Sequence, residues 1–470
     1  MNNIVIVWAW WTWISSLPLL LKELWFNNIV AIDANPSQIT QKLQKAWIKT
    51  IIGHGQYVPT KKDLVIFSDA AQNSPEVQKM QQLAHQTKAH APVSFFQFLG
   101  EISKFFKTIA ISGTHGKSTT TAMTIWASYH LNPKFALGIL GALMPFADGK
   151  NYIINSKLKK ELKTIFDFLT TGKWRFLQPN LIKKYRFVVE ADEFNQHFLW
   201  LDTHIAWITN IELDHSDIYP TFEDYLRHFE YFVQRTNYKV ITHKQWVKYF
   251  EKYKKTKILP IKKMRKFKFK YIFGEHNQQN ANLSYRLTKL SCPSCKAKEI
   301  KRYLQDFPWL RRRQEFVGNL YGKKIFSDYA HHPTEIQSTT QAFKKAFPSK
   351  SITILFQPHQ GRRILEFWED FKNVFAQLDE EVLIYPIYHA REDFEKLKKD
   401  FEFVEQLQIN SFKQLSKAFA QNINGELITD KNLSQKLRNA KGDIILILSA
   451  GDIDWKVRQL LWQNEAKPSL

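Results

Sequence analysis

Short runs of apolar, β-branched residues alternate with amphipathic stretches along the chain. In the N-terminal part these runs are residues 4–7 (IVIV), 28–33 (NIVAID), 50–54 (TIIGH) and 63–68 (DLVIFS), with helical patterns between them. A buried strand, an amphipathic helix and a second buried strand form the βαβ unit of a parallel sheet. The pattern therefore predicts a Rossmann-like α/β domain at the N-terminus.

The same alternation restarts twice further along the chain. Residues 107–131 have the pattern of a strand, a loop and a helix, and apolar strands at 187–193 and 204–215 follow them. A last group comprises the strands 351–356, 381–387 and 442–451. We therefore predict three consecutive α/β domains: a Rossmann-like domain over 1–106, a central P-loop ATPase-like domain over 107–318, and a C-terminal Rossmann-like domain over 319–470.

Composition narrows the class of protein. No apolar stretch reaches the ~18 to 20 residues that span a bilayer, and no N-terminal segment has the regions of a signal peptide. Two cysteines, Cys292 and Cys295, are too few for a disulfide framework, so we expect a cytoplasmic, reduced protein. The net charge of +23 suits nucleic acid, a membrane surface or anionic small substrates, but lysine-rich runs such as 248–270 are typical of a solvated surface.

The strongest chemical motif is ISGTHGKSTTT, residues 111–121. Glycines at 113 and 116 allow backbone N–H groups to surround a phosphate, Lys117 supplies a cation, and the Ser118 hydroxyl can ligate Mg²⁺. A strict Walker A motif has glycine where this chain has Ile111, so the motif is a shortened P-loop. It predicts nucleotide binding.

Acidic groups and a histidine follow two later strands. VVEADE (188–193) ends an apolar strand in carboxylates, and ELDHSDIY (212–219) places Asp214, His215 and Asp217 after another. Carboxylates at strand ends commonly hold the metal that bridges nucleotide phosphates, and ligands of open α/β sheets bind at those ends. A solvated helix start and a structural histidine are the alternative interpretations.

In this order, these motifs resemble the Mur ligase family, the ATP-dependent amide-bond ligases of peptidoglycan synthesis. The resemblance covers nearly the whole chain and is greatest to the branch that joins L-alanine to UDP-N-acetylmuramate. The further motifs that carry it are GEHNQQNA (274–281), FPWLRRRQEFVG (307–318), SDYAHHPTEI (327–336), FQPHQGRR (356–363), YPIYHARE (385–392) and SAGDI (449–453).

The resemblance implies roles for individual residues. Lys117, Glu190 and His215 would be catalytic, and Ser118, Glu190 and His215 would bind Mg²⁺. The ATP site would comprise Gly113, Thr114, His115, Gly116, Lys117, Ser118, Thr119, Asn277 and Asn280 at the adenine, Arg313 or Arg312 at phosphate, and Asp328 where the C-terminal domain meets the nucleotide. The substrates would contact Trp8, Trp10, Trp11, Trp13 and Asp33 on the UDP-sugar side and His331, His359 and Arg363 on the acceptor side.

Two motifs depart from the family pattern. The family continues VEADESDGSF where this chain has VEADEFNQHF, and FQPHQGRR replaces FQPH followed by SRT, so that Arg363 aligns and Arg362 is extra. The identity of the acceptor amino acid therefore rests on fewer residues than the ATP site. The CPSC pair has no second pair with which to complete a four-ligand zinc site.

The tryptophans pose a separate question. The chain has 16 glycines, about half of the usual ~7%, but 15 tryptophans. VWAWWTWISS (7–16) aligns with V-G-A-G-G-T-G-I-S-S of the family's UDP-binding turn, and Trp25, Trp47, Trp309 and Trp455 also fall on family glycines or near them. We hypothesise that UGA encodes glycine in the source organism and is translated here as tryptophan; a genuine aromatic cluster is the alternative.

Several functions remain open at this point. The leading one is ligation of L-alanine to UDP-N-acetylmuramate with ATP and Mg²⁺, without nucleic acid or membrane insertion. A recycling ligase of the same family would attach a whole peptide to the same nucleotide sugar. A P-loop ATPase that binds nucleic acid is suggested by the charge, and an inactive scaffold is the expectation if the tryptophans are genuine.

Overall fold

The structure is a computed structural model that describes residues 3–8, 12–171, 183–215, 218–253, 257–261, 264–390 and 392–465. The chain forms two compact units, one of Met1–Lys270 and Gln278–Phe307, the other of Tyr271–Asn277 and Pro308–Leu470. The predicted Trp10, Trp11 and Asp217 lie outside the described residues. No helix in the described ranges is long and apolar enough to cross a membrane.

The first unit begins with a parallel sheet of strand order β3-β2-β1-β4-β5. Every residue of the central strand Ile4–Trp8 is buried, as expected for a strand with helices on both faces. The strands are β1 (Ile4–Trp8), β2 (Ile29–Asp33), β3 (Lys49–Ile52), β4 (Leu64–Phe67) and β5 (Val93–Ser94), and the helices are α1 (Thr12–Ser15), α2 (Leu17–Glu23), α3 (Gln38–Lys45), α4 (Pro75–Gln86) and α5 (Phe95–Ser103).

The second sheet of this unit has the order β12-β11-β10-β6-β9-β7-β8 and is parallel except for the last pair. Its central strand β6 precedes the P-loop, with β9 and β10 as neighbours, so three polar strand ends share one edge. The strands are β6 (Lys107–Ser112), β7 (Phe135–Met144), β8 (Lys150–Ile154), β9 (Arg186–Glu190), β10 (Thr203–Ile208), β11 (Lys239–Thr242) and β12 (Lys257–Pro260). The helices are α6 (Lys117–Leu131), α7 (Lys159–Thr170), α8 (Phe222–Gln234), α9 (Lys244–Phe250), α10 (Glu275–Ser291) and α11 (Ala297–Gln305).

The second unit contains a sheet of order β13-β14-β18-β15-β16-β17, in which β13 is antiparallel to β14 and the other pairs are parallel. The strands are β13 (Glu315–Leu320), β14 (Lys323–Asp328), β15 (Ile352–Gln357), β16 (Glu381–Ile384), β17 (Glu426–Leu427) and β18 (Ile444–Ser449). The helices are α12 (Pro333–Ala346), α13 (Gly361–Glu366), α14 (Trp368–Ala376), α15 (Phe394–Asp400), α16 (Glu402–Gln406), α17 (Phe412–Asn422), α18 (Leu433–Asn439) and α19 (Ile453–Glu465).

The prediction of reduced cysteines is wrong in this structure. Cys292 and Cys295 form a disulfide in the turn between α10 and α11. The spacing of three residues permits the bond because it brings the two Cα atoms to 5.5 Å, within the range that a disulfide spans. Composition alone gave no indication of this local geometry.

Candidate functional site

The P-loop lies between β6 and α6 and needs glycine at two positions. Gly113 has φ of +127° and Gly116, the residue before α6, has φ of +78°. A Cβ on Gly113 would lie 2.8 Å from the carbonyl oxygen of Asn210, and one on Gly116 would lie 2.8 Å from Oδ1 of Asn280. Both positions therefore exclude side chains, and the loop can present its backbone N–H groups at the start of α6.

Lys117 is held in the loop by three hydrogen bonds. Its ammonium donates to the carbonyl oxygens of Gly113 (2.6 Å) and Thr114 (3.0 Å) and to Oε1 of Glu193 (2.8 Å). Burial alone would lower the pKa of Lys117, but the negative charges of Glu193 and its neighbours outweigh burial and raise the pKa. Lys117 is therefore a permanent cation at the mouth of the loop, available to phosphate oxygens.

The predicted metal-binding oxygens are brought together. The Ser118 hydroxyl donates to Oε1 of Glu190 at 2.9 Å, and Oε2 of Glu190 accepts from the backbone N–H of Gly141 at 2.9 Å. Ser118 belongs to the first turn of α6 and Glu190 ends β9, so adjacent strands of one sheet place both residues. Thr119 follows in the same turn of α6.

Glu193 is a central residue of the site that the sequence analysis missed. Its side chain is almost fully buried, and burial raises its pKa although Lys117 opposes that rise. Among the described residues, its Oε2 has no hydrogen-bond partner, and Nε2 of His215 lies 3.8 Å from its Oε1. The second glutamate of VEADE, Glu193, could have indicated this role, because it follows the same strand end as Glu190.

The remaining P-loop residues fix the loop to the strand end after β10. The Thr114 hydroxyl donates to the carbonyl oxygen of Glu212 at 2.9 Å, and the N–H of His115 donates to Oδ1 of Asn210 at 2.8 Å. Nε2 of His115 also lies 3.3 Å from Oε2 of Glu212. Thr114 and His115 therefore position the loop backbone.

His197 forms a second charged cluster that the sequence analysis did not identify. Its Nε2 lies 2.6 Å from Oδ2 of Asp69, which follows β4, and its Nδ1 lies 3.2 Å from Oδ2 of Asp192, which follows β9. The ring stacks on Phe96 with centroids 3.7 Å apart. Burial would lower the pKa of His197, but the two carboxylates raise it to about 9. A protonated His197 thus joins the first sheet to the second.

Trp8 and Trp13 belong to the predicted UDP-binding stretch and lie among the described residues. Trp8 ends β1 in full burial and hydrogen-bonds to the carboxylate of Asp33, which ends the neighbouring strand β2. Burial raises the pKa of Asp33. The ring of Trp13 packs against Phe96 with centroids 5.5 Å apart and lies where a Cβ on Gly141 would be, so it fills space between the first sheet and β7.

The two predicted asparagines lie on one helix, α10, in different units. Asn280 accepts at Oδ1 from the Thr120 hydroxyl of α6 at 3.1 Å. In the second unit, Asn277 donates to the carbonyl oxygen of Phe273 at 2.8 Å and to Oε1 of Gln314 at 3.1 Å. The spacing of three residues places both on one face of the helix.

Asp328 ends β14 in a buried position in the second unit. It accepts hydrogen bonds of 2.9 Å from the N–H groups of Gln314 and Ala330. Burial raises its pKa to about 6 although Arg313 opposes the rise. Arg312, in contrast, donates to the carbonyl oxygen of Gly451 at 2.9 Å, so Arg313 is the arginine that faces Asp328.

The three predicted acceptor residues converge in the second unit. The rings of His331 and His359 have centroids 5.9 Å apart, and Nη1 of Arg363 donates to the carbonyl oxygen of His359 at 3.2 Å. His331 precedes α12, His359 follows β15 and Arg363 lies in α13, so these residues come from three segments that meet at the sheet's carboxyl edge. Together they form a cluster of two imidazoles and one guanidinium.

Part of the chain is similar to a known protein family. Residues 312–451 match the family described as Mur ligase, glutamate ligase domain. This region is therefore similar to a Mur ligase domain. The resemblance to Mur ligases inferred from the motifs is confirmed.

Curated relatives extend this likeness over most of the chain. The UDP-N-acetylmuramate–L-alanine ligase of Bdellovibrio bacteriovorus is 27% identical over 93% of this chain and 94% of its own length. The ligase of the same name from Clostridium botulinum strain Langeland is 29% identical, with 95% and 94% covered.

Solved structures agree with the predicted fold class. The UDP-N-acetylmuramate-alanine ligase of Thermotoga maritima matches with a TM-score of 0.70 at 20% identity, with 99% of this chain and 100% of that chain covered. A murein peptide ligase of Psychrobacter arcticus matches with a TM-score of 0.63 at 19% identity, with both chains fully covered. The Mur ligase fold of consecutive α/β domains is thereby confirmed.

Proposed function

We propose that this protein is a cytoplasmic ATP-dependent ligase that joins the carboxylate of UDP-N-acetylmuramate to the amine of L-alanine. The observation that carries this proposal is the convergence of Lys117, Ser118, Glu190 and Glu193 at one edge of the second sheet. The names of the curated relatives support the choice of substrates. The alternative acceptor, a peptide, is tested below.

The reaction requires activation of a poor electrophile. A carboxylate resists attack by an amine, so the γ-phosphoryl group of ATP is first transferred to the muramyl carboxylate to give an acyl phosphate. The amine of L-alanine then attacks the acyl carbon, and phosphate leaves. Lys117, a permanent cation, stabilises the charge on the transferred phosphoryl group once nucleotide replaces its bonds to the loop carbonyls.

The residues present fit Mg²⁺. Ser118 and Glu190 supply a hydroxyl and a carboxylate oxygen within 2.9 Å of each other, and Oε2 of buried Glu193 has no hydrogen-bond partner among the described residues. Hard oxygen donors of this kind are those that Mg²⁺ prefers. Bound there, the ion would neutralise the charge on phosphate oxygens. His215, whose Nε2 lies 3.8 Å from Oε1 of Glu193, would be a further ligand.

The second unit provides the other parts of the proposed sites. We assign the carboxylate of L-alanine to the cluster of His331, His359 and Arg363, because a small zwitterion needs a cation opposite its carboxylate and Arg363 supplies one. Arg313 and Asp328 are assigned to the nucleotide, and Asn277 of this unit and Asn280 of the first unit to the adenine.

We also propose that tryptophans replace natural glycines in this chain. Trp25 and Trp47 have φ of +65° and +58°, the left-handed region that side chains disfavour. Each follows a helix in a Schellman motif: the N–H of Trp25 bonds to Lys22 and that of Phe26 to Leu21, with equivalent bonds after α3. The residue at this position is usually glycine.

Exposure of the two indoles supports this assignment. The side chains of Trp25 and Trp47 are 54% and 89% exposed, so no packing compensates for the strained backbone. Trp309, another aligned position, is not among the residues with positive φ, so its support is the alignment alone. Sequencing of the gene tests the proposal: UGA codons at Trp8, Trp13, Trp25 and Trp47 support it, and UGG codons contradict it.

The proposed UDP site depends on this assignment. Trp8 ends β1 with a buried indole and the ring of Trp13 occupies the space beside Gly141, so the chain as written is expected to bind UDP-N-acetylmuramate weakly or not at all. The variant with glycine at Trp8, Trp10, Trp11 and Trp13 should bind it tightly. Equal affinities of the two versions, measured by calorimetry, would refute the expectation.

The function itself is tested by phosphate release. The glycine variant should release phosphate from ATP only when UDP-N-acetylmuramate and L-alanine are both present. Glycine, L-serine and the tripeptide should be compared as acceptors, and preference for the tripeptide would favour the recycling activity. Release that needs neither substrate would contradict a ligase.

A further inference from the structure

The disulfide is formed by the chain's two cysteines, which lie in the turn between α10 and α11. Cys292 follows the last residue of α10, and Cys295 comes two positions before α11. Both side chains are mostly buried, whereas Pro293 and Ser294 between them are exposed. The turn therefore places the sulfur atoms just under the surface.

A lysine and a helix N-terminus lie at the pair. The ammonium of Lys289 donates to the carbonyl oxygens of Pro293 (2.6 Å) and Cys295 (2.8 Å), which holds a positive charge in the turn. The positive end of α11 lies at the same turn. In a Cys-X-X-Cys pair, a nearby cation and a helix N-terminus favour thiol–disulfide exchange.

The local fold also favours the reduced form. Sγ of Cys295 lies 3.3 Å from the carbonyl oxygen of Leu131, the last residue of α6. A thiol at this position donates a hydrogen bond to that carbonyl group, whereas a disulfide has no proton to donate. The bond also closes a very short loop, so it restricts the unfolded chain little. The disulfide is therefore suited to reversible reduction and contributes little to folding stability.

Two helices, α6 and α10, lead from the cysteine pair towards the P-loop. α6 starts at Lys117 and ends at Leu131, and α10 runs beside it. The Thr120 hydroxyl donates to Oδ1 of Asn280 at 3.1 Å, and the Ser284 hydroxyl donates to the carbonyl oxygen of Thr120 at 3.0 Å. A change in how Cys295 holds the end of α6 can thus reach the nucleotide site through packed helices.

We propose that Cys292 and Cys295 form a reversible redox site that controls nucleotide binding. A protein dithiol reduces the bond: its thiolate attacks one sulfur atom, a mixed disulfide forms, and its second thiol releases the pair. Two electrons and two protons pass to the cysteines, and the reductant becomes a disulfide. Reduction gives Cys295 a proton to donate to the carbonyl group of Leu131 and strengthens ADP binding. The coupling rests on the proposed function of the P-loop.

The first experiment measures the couple itself. The full chain is incubated with thioredoxin and dithiothreitol, and free thiols are alkylated and counted by mass spectrometry. Two thiols should appear together without denaturant and disappear on treatment with oxidised glutathione. A bond that is reduced only after unfolding would overturn the proposal.

The second experiment measures the coupling. By calorimetry, the reduced chain should bind ADP about fivefold more tightly than the oxidised chain, a typical coupling between sites. Cys295→Ser keeps a donor for Leu131 and should match the reduced chain, whereas Cys295→Ala has none and should match the oxidised chain. Equal ADP affinities of all four proteins would overturn the coupling.

The two proposals fail in different ways. If redox-dependent ADP binding is observed but UDP-N-acetylmuramate and L-alanine do not stimulate phosphate release by the variant with glycine at Trp8, Trp10, Trp11 and Trp13, the redox site stands and the ligase assignment falls. If phosphate release depends on both substrates but is the same in the oxidised and reduced chains, with equal ADP affinity, the ligase stands and the redox control falls.

Discussion

The buried ion pairs of His197 allow a quantitative test of how the first and second sheets are joined. The imidazolium lies between Asp69 and Asp192 and is only 4% exposed. Its pKa is raised from 6.5 to about 9. At about 1.4 kcal/mol for each pKa unit, this difference corresponds to roughly 3 kcal/mol of folding stability.

The direction of the pKa shift of His197 determines how stability depends on pH. Because the folded pKa lies above the unfolded one, the stabilisation is fully present below pH 6.5 and is lost as the pH rises through about 9. His197→Gln removes the charge, so this variant should be less stable at pH 6.5 and should lack this part of the pH dependence. The two proteins should converge in stability towards pH 9.5.

The assay is urea unfolding at several pH values from 6 to 9.5. The quantity compared is the free energy of unfolding of the wild type minus that of the variant. This difference removes the titration of lysines and tyrosines that both proteins share. His204→Gln is the control, because burial and nearby cations lower the pKa of His204 to about 4 and it is neutral throughout this range. Parallel pH profiles of wild type and His197→Gln would refute the reasoning.

Three further predictions concern the ATP site and the strained tryptophans. Lys117→Met should lower phosphate release at least about 100-fold through lost charge stabilisation, whereas Lys134→Met, at an exposed lysine, should leave it unchanged; a fall in both would contradict the assignment. Asp328→Asn should lower turnover without lowering the thermal midpoint at pH 7.5, because the buried carboxylate, with a pKa of about 6, is charged there at a cost; a large drop in the midpoint would show a structural role instead. Trp47→Gly should stabilise the chain by about 1 kcal/mol in urea unfolding, and Trp462→Gly, inside α19 and also exposed, should destabilise it by about as much; similar signs would contradict the glycine assignment.

Local patterns predicted which residues lie together around the P-loop. The P-loop, Ser118 and Glu190 follow strands that the apolar runs identify, and parallel strands bring their carboxyl ends to one edge. The same rule brought His331 and His359 together. These features depend on short segments whose structure the sequence specifies locally.

Contacts between distant segments were not predictable in this way. His197 contacts Asp69, which is 128 positions away, and nothing in the sequence near either residue indicates the other. Glu193 was missed because its importance depends on how far Lys117 reaches across the strand ends. The positive φ of Trp25 and Trp47 became visible only with the helix ends in place.

The most direct test of the central claim is formation of the amide product. The full chain with glycine at Trp8, Trp10, Trp11 and Trp13 is incubated with ATP, Mg²⁺, UDP-N-acetylmuramate and L-alanine, and the nucleotide sugars are analysed by mass spectrometry. We predict UDP-N-acetylmuramoyl-L-alanine, with one ADP and one phosphate formed for each product and none with Lys117→Met. ATP hydrolysis without this product would contradict the account.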